Sequence, residues 1–502
     1  MFNEIITKDE VKFNELEKKI FKFVCFLGCM LIKLFLERYD EKLKRTRDKS
    51  KYRDKGYRQN TVKTVMGPVT YKRTMYIENE NGKMRTMFLL DETLKVCTIG
   101  KVSQNLAETA VEVAVNSTSY RKGAENIECM TNEAMSHEEL RKLTIEVGEK
   151  IEAKEKEEVK LMKKGELVKG LREIAALFEE ADGIWINLQG KDRKIALEKQ
   201  KKECEKKNKK FNPKARIKTE LKLHVMYEGW KKGDSRHSLV NKKYMAGIMN
   251  PKAMRELRDA RVYQMYDADK IKLRVTNGDG AAWTKGTTAK GGIYQKDSFH
   301  IHQEITRDVP KEYRHIIEEL IENKEYSKIP EAIEELKYEL GGEEKALKKL
   351  EALKKYLKQD LERYQDILKG QGKEVPEAPE GIEYRTMGTQ ESQIFSKLKV
   401  RLCSGRKSFS KYGANALSKV CVWVSEKDEW YDDLEEAIPV DTSVKDWIEE
   451  IESNIVRRKR DVGLSNQFED MSNCKTSSLT DAPKFLKEII KEVSFLDMKC
   501  SF

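Results

Sequence analysis

The sequence lacks the features by which membrane-bound and zinc-binding proteins are usually recognised. Its nine cysteines are scattered, and no Cys/His group has the spacing of a zinc finger or a Cys-x-x-Cys site. The most apolar run, residues 20–36, is interrupted by Lys22 and Lys33 and is short for a bilayer span. The first residues include acids and no small-residue cleavage site, so no signal peptide is predicted. We therefore expect reduced thiols, no membrane partner and a cytoplasmic protein.

Charge is what the sequence has in excess. Charged residues make up 37% of the 502 residues, and the formal net charge is +12. This composition predicts long solvated helices, one of them over about residues 8–48, and the length allows several domains with a sizeable core. The surplus of Lys and Arg favours a polyanionic partner, most simply a nucleic acid.

Residues 275–283 place one carboxylate at the end of a predicted strand. The alternating run 271–275 indicates the strand, and Asn277-Gly-Asp-Gly280 follows it. The glycines permit a tight turn and a close approach by a ligand, and Trp283 adds a large apolar surface. We predict that Asp279 lies at a sheet edge, although a simple β-turn with Asp as the turn former explains this segment equally well.

Residues 179–188 repeat the same pattern. A charged helix over about 149–180 is predicted to end at Asp182, and the apolar run after it predicts a strand with Asp182 at its head. Further strands are predicted at 219–227 and 244–249. In a mixed sheet the first and fourth strands can lie side by side, which would bring Asp182 and Asp279 to one edge.

Glu391 is the third candidate acid. Ile394, Phe395, Leu398 and Leu402 define the predicted buried face of a helix, and Glu391 lies on that face in the first turn. A carboxylate on a packed face needs a partner, and the first helical turn favours its ionised form. Glu304 and Glu383 lie nearby in the sequence and remain alternatives.

Three carboxylates brought together in this way suit hard divalent cations, which prefer oxygen ligands. Two such ions about 4 Å apart can activate a water or a 3′-hydroxyl and stabilise the leaving oxygen of a phosphodiester. We predict that Asp182, Asp279 and Glu391 hold two Mg²⁺ (or Mn²⁺) ions, with Gly280, Trp283 and His300 near the site. His300 and His302 are predicted to share one face of a strand within 291–302, where packing histidines are the commoner outcome.

Basic residues interleaved with aromatic ones predict DNA contacts on a hairpin around Gly67-Pro68, near Ser119, and after Glu391. The predicted DNA-binding residues are Arg53, Lys55, Arg58, Lys63, Arg73, Arg121, Lys122, Lys397, Arg401, Arg406 and Lys407. A solvated hairpin face is the alternative for the first group, and an ordinary helical hairpin, instead of a helix-turn-helix reader, for the second. Residues 191–218 are predicted to be a flexible basic excursion that is either only solvated or in contact with DNA.

These residues together resemble the motifs of DDE transposases of bacterial insertion sequences, and the pattern is similar to the ISLre family, itself similar to the Mutator-like group. The resemblance lies in residues 181–184, 277–283, 297–300 and 388–392. It extends to the basic hairpin, to Leu89-Leu-Asp-Glu92, to Ser119-Tyr-Arg121 and to residues 406–413.

The resemblance implies a mixed α+β fold with an RNase H-like core, interrupted by a helical insertion between the second Asp and the Glu. It implies Asp182, Asp279 and Glu391 as metal ligands in cleavage and strand transfer. It also implies double-stranded DNA partners (terminal inverted repeats and target), a homo-oligomer on DNA, and a nucleoid-associated protein in a bacterial cytoplasm.

The predicted organisation has five parts: a helical and β-hairpin DNA-binding region at 1–150, the first part of the core at 151–309, a helical insertion at 310–380, the last part of the core at 381–425 and a helical tail at 426–502. Two other functions fit the same sequence. One is a non-catalytic DNA-binding or scaffold protein derived from a transposase, and the other is an RNase H-like nuclease that cuts branched or damaged DNA without strand transfer.

Overall fold

The computed structural model describes residues 13–80, 83–94, 96, 101–234, 236–323, 325–341, 344–360, 375–405 and 407–426. Among them the chain forms two compact units. The first contains the described residues up to 110 together with 124–136, and the second contains 111–123 and 137–426. Arg406 lies outside the described residues, and so does the predicted tail beyond residue 426.

The first unit is a long helix packed on a three-stranded meander. Helix α1 (Phe13–Thr46) precedes the antiparallel strands β1 (Tyr52–Thr64), β2 (Gly67–Glu80) and β3 (Lys83–Met87). Alternating residues such as Val62 and Val69 pack against Leu36 of the helix, because successive side chains of a strand point to opposite faces. The predicted long helix and the hairpin with its turn before Gly67-Pro68 are confirmed.

Four helices connect the meander to the central sheet. They are α2 (Leu89–Leu94), α3 (Gln104–Asn116), α4 (Tyr120–Met130) and α5 (His137–Lys164). Helix α5 begins directly after Ser136 and ends at Lys164. The prediction of a helix over about 149–180 is therefore wrong beyond that point, since residues 176–187 form a strand.

The second unit is built on a mixed five-stranded sheet. Its elements up to the insertion are β4 (Ala176–Asn187), α6 (Gly190–Lys206), β5 (Lys218–Tyr227), β6 (Gly229–Lys232), β7 (His237–Val240), β8 (Lys243–Gly247), α7 (Pro251–Met265), β9 (Leu273–Gly278), α8 (Ala282–Gly286) and β10 (Ile293–Lys296). The strand order is β10-β9-β4-β5-β8, and β6 with β7 forms a separate hairpin that the sequence analysis missed.

Strands β4 and β9 are neighbours and run parallel, whereas β5 and β8 are antiparallel to the strands beside them. Within this sheet β4 is the first strand in the chain and β9 is the fourth, so the predicted pairing of first and fourth strands is confirmed. Strand β9 therefore ends at Gly278 beside Ala181 in the middle of β4, although these two residues are almost a hundred positions apart in the chain.

Helices cover both faces of the sheet. One face, carrying Phe178, Ile184 and Ile186 of β4, packs against helices of residues 390–402 and 411–423. The other face, carrying Leu177 and Met226, packs against α7. The chain thus has a mixed α+β architecture with a mixed sheet flanked by helices, as the sequence predicts.

A helical segment follows the sheet strand β10. It contains α9 (Ser298–Asp308), α10 (Arg314–Glu322), α11 (Ile329–Glu339) and α12 (Glu344–Asp360). These helices have their own apolar core, with Ile305, Ile317, Ile333 and Leu353 at its centre. The helical content predicted between Asp279 and Glu391 is present in the described part of this segment.

The chain then returns to the sheet through helix α13, which begins with Gln390–Ile394, continues as a π-helical stretch over Phe395–Lys399 and ends with Val400–Leu402. Helix α14 (Lys411–Trp423) follows it. Among the residues placed by the structure, no helix combines the length and the apolar character that crossing a bilayer requires.

Candidate functional site

Asp182 lies in the second half of β4, on the sheet face that helix α13 covers. Residues alternate along the strand, so Glu180, Asp182 and Ile184 share this face. The position differs from the predicted one at the head of the strand, because β4 already begins at Ala176. The side chain is mostly buried, with 7% of the residue exposed, and its Oδ1 accepts a 2.6 Å hydrogen bond from the Gly183 amide.

Asp279 follows the last residue of β9, as predicted. Gly278 at the end of β9 is the register partner of Ala181, so Asp279 follows the neighbouring strand at the level of Asp182. Its Oδ1 accepts hydrogen bonds from the Ala281 amide at 2.8 Å and from Thr284 Oγ1 at 3.0 Å. Gly280 has φ of +90°, a conformation that favours glycine and turns the chain away after the acid.

Glu391 reaches the sheet because the start of α13 is bound by a second acid, Glu180. The buried Glu180 carboxylate accepts hydrogen bonds from Thr389 Oγ1 at 2.8 Å, from the Thr389 amide at 3.1 Å and from the Gln390 amide at 3.0 Å. Tyr227 donates a further bond to it at 2.5 Å. A carboxylate is well placed here, since the first amides of a helix have no partner within the helix.

Asp182, His300 and Glu391 form one cluster. Each offers a ligand atom, and these atoms all lie within 4.8 Å of one another. Asp279 is not part of this set, but its charge acts on both Asp182 and His300. The structure therefore assembles two of the three predicted acids with a histidine, and places the third acid at the end of the adjacent strand.

His300 is oriented by a carboxylate. Asp297 caps the start of α9, and its Oδ2 lies 2.9 Å from His300 Nδ1, while its Oδ1 accepts from Asn277 Nδ2 at 3.0 Å. Burial lowers the pKa of His300, but the bond to Asp297 and the charges of Asp182 and Asp279 outweigh it and raise the pKa overall. Because Nδ1 is occupied by Asp297, Nε2 is the ring nitrogen left for a ligand.

The acids repel each other in the cluster. Burial raises the pKa of Asp182 to about 6, and the charges of Asp279 and Glu391 add to the increase, against His300 and the Gly183 amide. Lys399 balances part of the charge, since its Nζ lies 2.8 Å from Glu391 Oε2. The site thus holds more negative charge than its surroundings compensate, which a bound cation would offset.

Two predictions about neighbouring side chains are wrong. His300 and His302 lie in helix α9 and not on a strand, because β10 ends at Lys296 and Asp297 starts the helix. Phe395 does not lie on the buried face of α13 and is 60% exposed, because the π-helical turn shifts the residues that follow Ile394. Trp283 is buried, and its Nε1 donates to Glu220 Oε1 at 2.8 Å.

The predicted DNA-binding residues fall into two groups. Arg53, Lys55, Arg58, Arg121 and Lys122 are exposed. Arg406 lies outside the described residues, and the remaining five make contacts within the protein.

Lys63 lies 3.3 Å from Glu133, and Arg73 pairs with Asp91 and stacks on Phe88. Arg401 is 4% exposed and donates to the Ala114 carbonyl at 2.8 Å. Lys397 lies over the ring of Tyr244, and Lys407 donates to the Arg401 carbonyl at 3.0 Å.

The residues that hold the acids in place were not predicted from the sequence. Glu180, Asn277 and Asp297 are buried and linked by hydrogen bonds, with Asn277 Nδ2 3.4 Å from Glu180 Oε2. Glu180 was placed in the predicted helix over about 149–180; in the strand that these residues form instead, Glu180 and Asp182 are two residues apart and share a face.

Comparison with known proteins places the chain among uncharacterised relatives. A UPF0236 protein of Caldanaerobacter subterraneus subsp. tengcongensis is 24% identical over 361 residues, which are 70% of this chain and 68% of the relative. A second one from that organism is 24% identical over 370 residues, 71% of this chain and 68% of the relative. The name of the first joins eleven locus designations, and the name of the second joins four.

One solved structure, the Drosophila P element transposase strand transfer complex, aligns over 69% of this chain and 84% of its own, with 10% identity and a TM-score of 0.19. A TM-score of this size does not establish a common fold. The family comparison is decisive, because the model of an uncharacterised protein family, UPF0236, matches residues 6–432. The chain belongs to the UPF0236 family.

Proposed function

We propose that this protein is a DDE transposase of a bacterial insertion sequence, which binds the ends of its element and catalyses metal-dependent DNA cleavage and strand transfer. The observation that carries the proposal is the cluster of Asp182, His300 and Glu391, whose ligand atoms lie within 4.8 Å, beside Asp279 on the adjacent parallel strand. Residues more than two hundred positions apart meet at this point.

The topology supports the proposal. Asp182 lies on the first strand of the sheet, Asp279 follows the fourth, and Glu391 lies on a later helix packed on the same face. This is the order that the resemblance to ISLre transposases, with an RNase H-like core, implies. The helical segment between Asp279 and Glu391 fits the insertion of that family.

The relatives add a second, independent support. The name of one relative joins eleven designations in one organism, which we interpret as copies of one coding sequence. Repetition of this kind is what transposition produces. A scaffold protein derived from a transposase would have no reason to be copied in the same way.

The cluster suits a divalent cation. Carboxylate oxygens are ligands of Mg²⁺ and Mn²⁺, and an imidazole nitrogen in the set favours Mn²⁺ over Mg²⁺. Asp182 and Glu391 would hold such an ion together with Asp279 or His300, and two ions are our proposal for the complete site. When bound, the ions supply charge stabilisation at the reacting phosphodiester and lower the pKa of an attacking water.

The residues of the chain then have distinct roles. Asp182, Asp279 and Glu391 orient the reacting groups, while Asp297 fixes the tautomer and the direction of His300. In the cleavage step a water oxygen bonds to phosphorus, the bond from phosphorus to the 3′-oxygen breaks, and that oxygen leaves as a hydroxyl. In strand transfer this hydroxyl bonds to a target phosphorus, and the target's own 3′-oxygen leaves.

Double-stranded DNA is the proposed partner, both as terminal inverted repeats and as target. The exposed cations on the meander and on α4, such as Arg53, Arg58 and Arg121, are available to its phosphates. The proposal also includes that the protein forms a homo-oligomer on DNA and that it is located at the nucleoid in the bacterial cytoplasm.

The test uses DNA that carries the two sequences flanking the gene, incubated with the full-length protein and Mg²⁺ or Mn²⁺. We expect cut ends and joined donor–target strands with the wild type, and a loss of at least a hundredfold with Asp182→Asn or Glu391→Gln. Binding of the same DNA should persist in both variants. Glu383→Gln, which changes an acid paired with His237 outside the cluster, is the control and should cut normally.

Each other result has a defined meaning. Normal cutting by Asp182→Asn rejects the DDE assignment. Binding without metal uptake or cutting in the wild type favours a DNA-binding scaffold, and cutting without joined strands favours a structure-specific nuclease.

A further inference from the structure

A cavity of about 340 Å³ lies where β4 ends and α6 begins. Three chain segments that are distant in sequence line it, namely residues 187–190 with Arg193, residues 214–217, and Gly405 with Lys407 and Ser408. They are held together by backbone hydrogen bonds, from the Leu188 amide to the Ile217 carbonyl at 2.8 Å and from the Gln189 amide to the Phe409 carbonyl at 2.9 Å. These hydrogen bonds fix the three segments that form the cavity at the end of β4.

All charged residues that line the cavity in the described structure are cationic. They are Arg193, Lys214, Arg216 and Lys407. Arg193 Nη2 lies 3.4 Å from the Ala215 carbonyl and holds the loop that carries Lys214 and Arg216. Lys407 is used differently, since its Nζ donates to the Ser404 hydroxyl and to two carbonyls at the end of α13.

The start of helix α6 opens beside the same cavity. Its N-cap residue Gln189 makes no side-chain cap, and the Gln189 amide oxygen instead accepts a bond from Ser408 at 3.2 Å. Asp192 in the first turn is already occupied, because its Oδ2 accepts from the Lys411 amide at 2.7 Å. The positive end of the helix dipole thus adds to the positive charges of Arg193, Lys214 and Arg216.

Helix α6 has no buried residue, so it contributes little to the apolar core of the protein. Residues 190–218 contain 13 Lys and Arg against 4 Asp and Glu, whereas the net charge of the whole chain is +12. Most of the net positive charge of the protein is therefore concentrated on this one excursion, and the cavity lies at its base.

We propose that this cavity binds a backbone phosphate of the DNA whose cleavage we assign to the acid cluster. The proposal rests on the proposed function, and it names the surface that positions the substrate. Asp182 and the first cavity residue Asn187 are five residues apart on β4. At roughly 3.3 Å per strand residue this is about 17 Å, or about five base pairs along a duplex at roughly 3.4 Å each.

The strand and helix α13 both connect the two sites. Glu391 is at the start of α13, beside Asp182, and the Asn187 side chain donates to the Lys407 carbonyl just after α13 ends. A phosphate held in the cavity therefore fixes the DNA at a set distance from the acids.

The test measures DNA binding without cleavage, in full-length protein that carries Asp182→Asn and is kept free of metal. The variant is Arg193→Gln with Arg216→Gln, and its affinity for a labelled duplex is followed by fluorescence anisotropy over a range of salt concentrations. The control is Lys311→Gln with Lys345→Gln, which removes the same charge from exposed positions on the helical insertion.

We expect the cavity variant to lose affinity several-fold and to show a salt slope smaller by about 0.9, the value for one lost phosphate contact. The control should keep both. Equal affinity and slope in the two variants would overturn the phosphate site, even if the acid variants abolish cleavage. If the cavity variant lost affinity but the wild type never cut DNA, the phosphate site would be supported and the proposed transposase activity rejected.

A free phosphate is the other source of the same chemistry. Inorganic phosphate and ATP are therefore added as competitors at millimolar concentrations. Displacement of the duplex from wild type at concentrations that leave its binding to the cavity variant unchanged supports the DNA backbone, because phosphate and duplex then compete for the cavity. Small phosphates that bind to wild type but not to the cavity variant, without displacing the duplex, would assign the cavity to small phosphates and overturn its role in DNA binding.

Discussion

The residue with the most unusual surroundings outside the acid cluster is His224, on the sheet face opposite Asp182. It is fully buried beside Glu179, Arg258 and Arg274, and neither of its ring nitrogens has a hydrogen-bond partner. Burial lowers the pKa of His224 to about 4. The positive charges of the two arginines add to this decrease, while the negative charge of Glu179 opposes it. The imidazole is therefore neutral in the folded protein near neutral pH.

This predicts an acid-sensitive fold. The unfolded chain binds a proton at His224 near pH 6.5, whereas the folded chain binds it only near pH 4. The free energy of unfolding therefore has its full value above pH 6.5 and decreases as the pH falls from 6.5 to about 4. The loss in the free energy of unfolding should reach roughly 3 kcal/mol.

Urea unfolding at several pH values measures this decrease. His224→Gln should flatten the profile between pH 6.5 and about 4.5, while His315→Gln, at an exposed histidine, should leave it as in the wild type. A wild-type slope that survives in His224→Gln would show that another group is responsible.

At the scale of elements, the site depends on how helix α13 is attached to the sheet. Glu180 of β4 binds the Thr389 and Gln390 amides at the start of this helix, and Glu391 is the next residue. The apolar residues Ile394, Leu398 and Leu402 then pack on the same sheet face. The carboxylate of Glu180 thus determines where that of Glu391 lies.

Glu180→Gln should therefore affect both stability and metal binding. Hydrogen bonds to a charged acceptor contribute about 1.5–3 kcal/mol, so we expect the free energy of unfolding to fall by about 2 kcal/mol. Mn²⁺ affinity, measured by calorimetry, should fall several-fold because Glu391 is no longer held.

Glu173→Gln is the matched control, since Glu173 is an exposed acid just before β4. It should change neither quantity. If Glu180→Gln lowered stability but left Mn²⁺ affinity intact, the role of Glu180 in positioning Glu391 would be disproved.

At the scale of the whole molecule, the candidate site joins segments that are far apart in the chain. Asp182 comes from strand β4, His300 from helix α9 and Glu391 from helix α13. A cation held by all three would connect these segments, and it would bind the folded protein but not the unfolded chain.

Mn²⁺ at a hundred times its dissociation constant should then stabilise the fold by about 2.7 kcal/mol. In Asp182→Asn this gain should disappear, while the metal-free variant should be as stable as the wild type or more stable by about 1–2 kcal/mol, because a buried and repelled charge has been removed. Thermal unfolding with and without Mn²⁺ shows both effects.

Glu304→Gln provides the comparison, since Glu304 is bound to Arg307 in the insertion and lies outside the cluster. It should respond to Mn²⁺ as the wild type does. Full metal stabilisation of Asp182→Asn would mean that the cations bind elsewhere.

The sequence by itself determined which segments form helices and strands where the pattern is regular, including α1, the hairpin and the strands at 218–227 and 243–247. It also indicated Asp182, Asp279 and Glu391 as candidate acids from local pattern and glycine placement, although the strand that carries Asp182 begins at Ala176, inside the predicted helix. Local patterns carry this information because side-chain periodicity and turn chemistry act over a few residues.

Only the tertiary structure decided that His300 joins Asp182 and Glu391 within 4.8 Å, and that Glu180, Asn277 and Asp297 hold them there. It also decided that Arg73 and Arg401 are used in internal contacts, whereas residues 190–206 form a helix with no buried side chain. The physical reason is that hydrogen bonds and charge pairs between distant segments depend on strand order and helix docking, which the residues on either side in sequence do not specify.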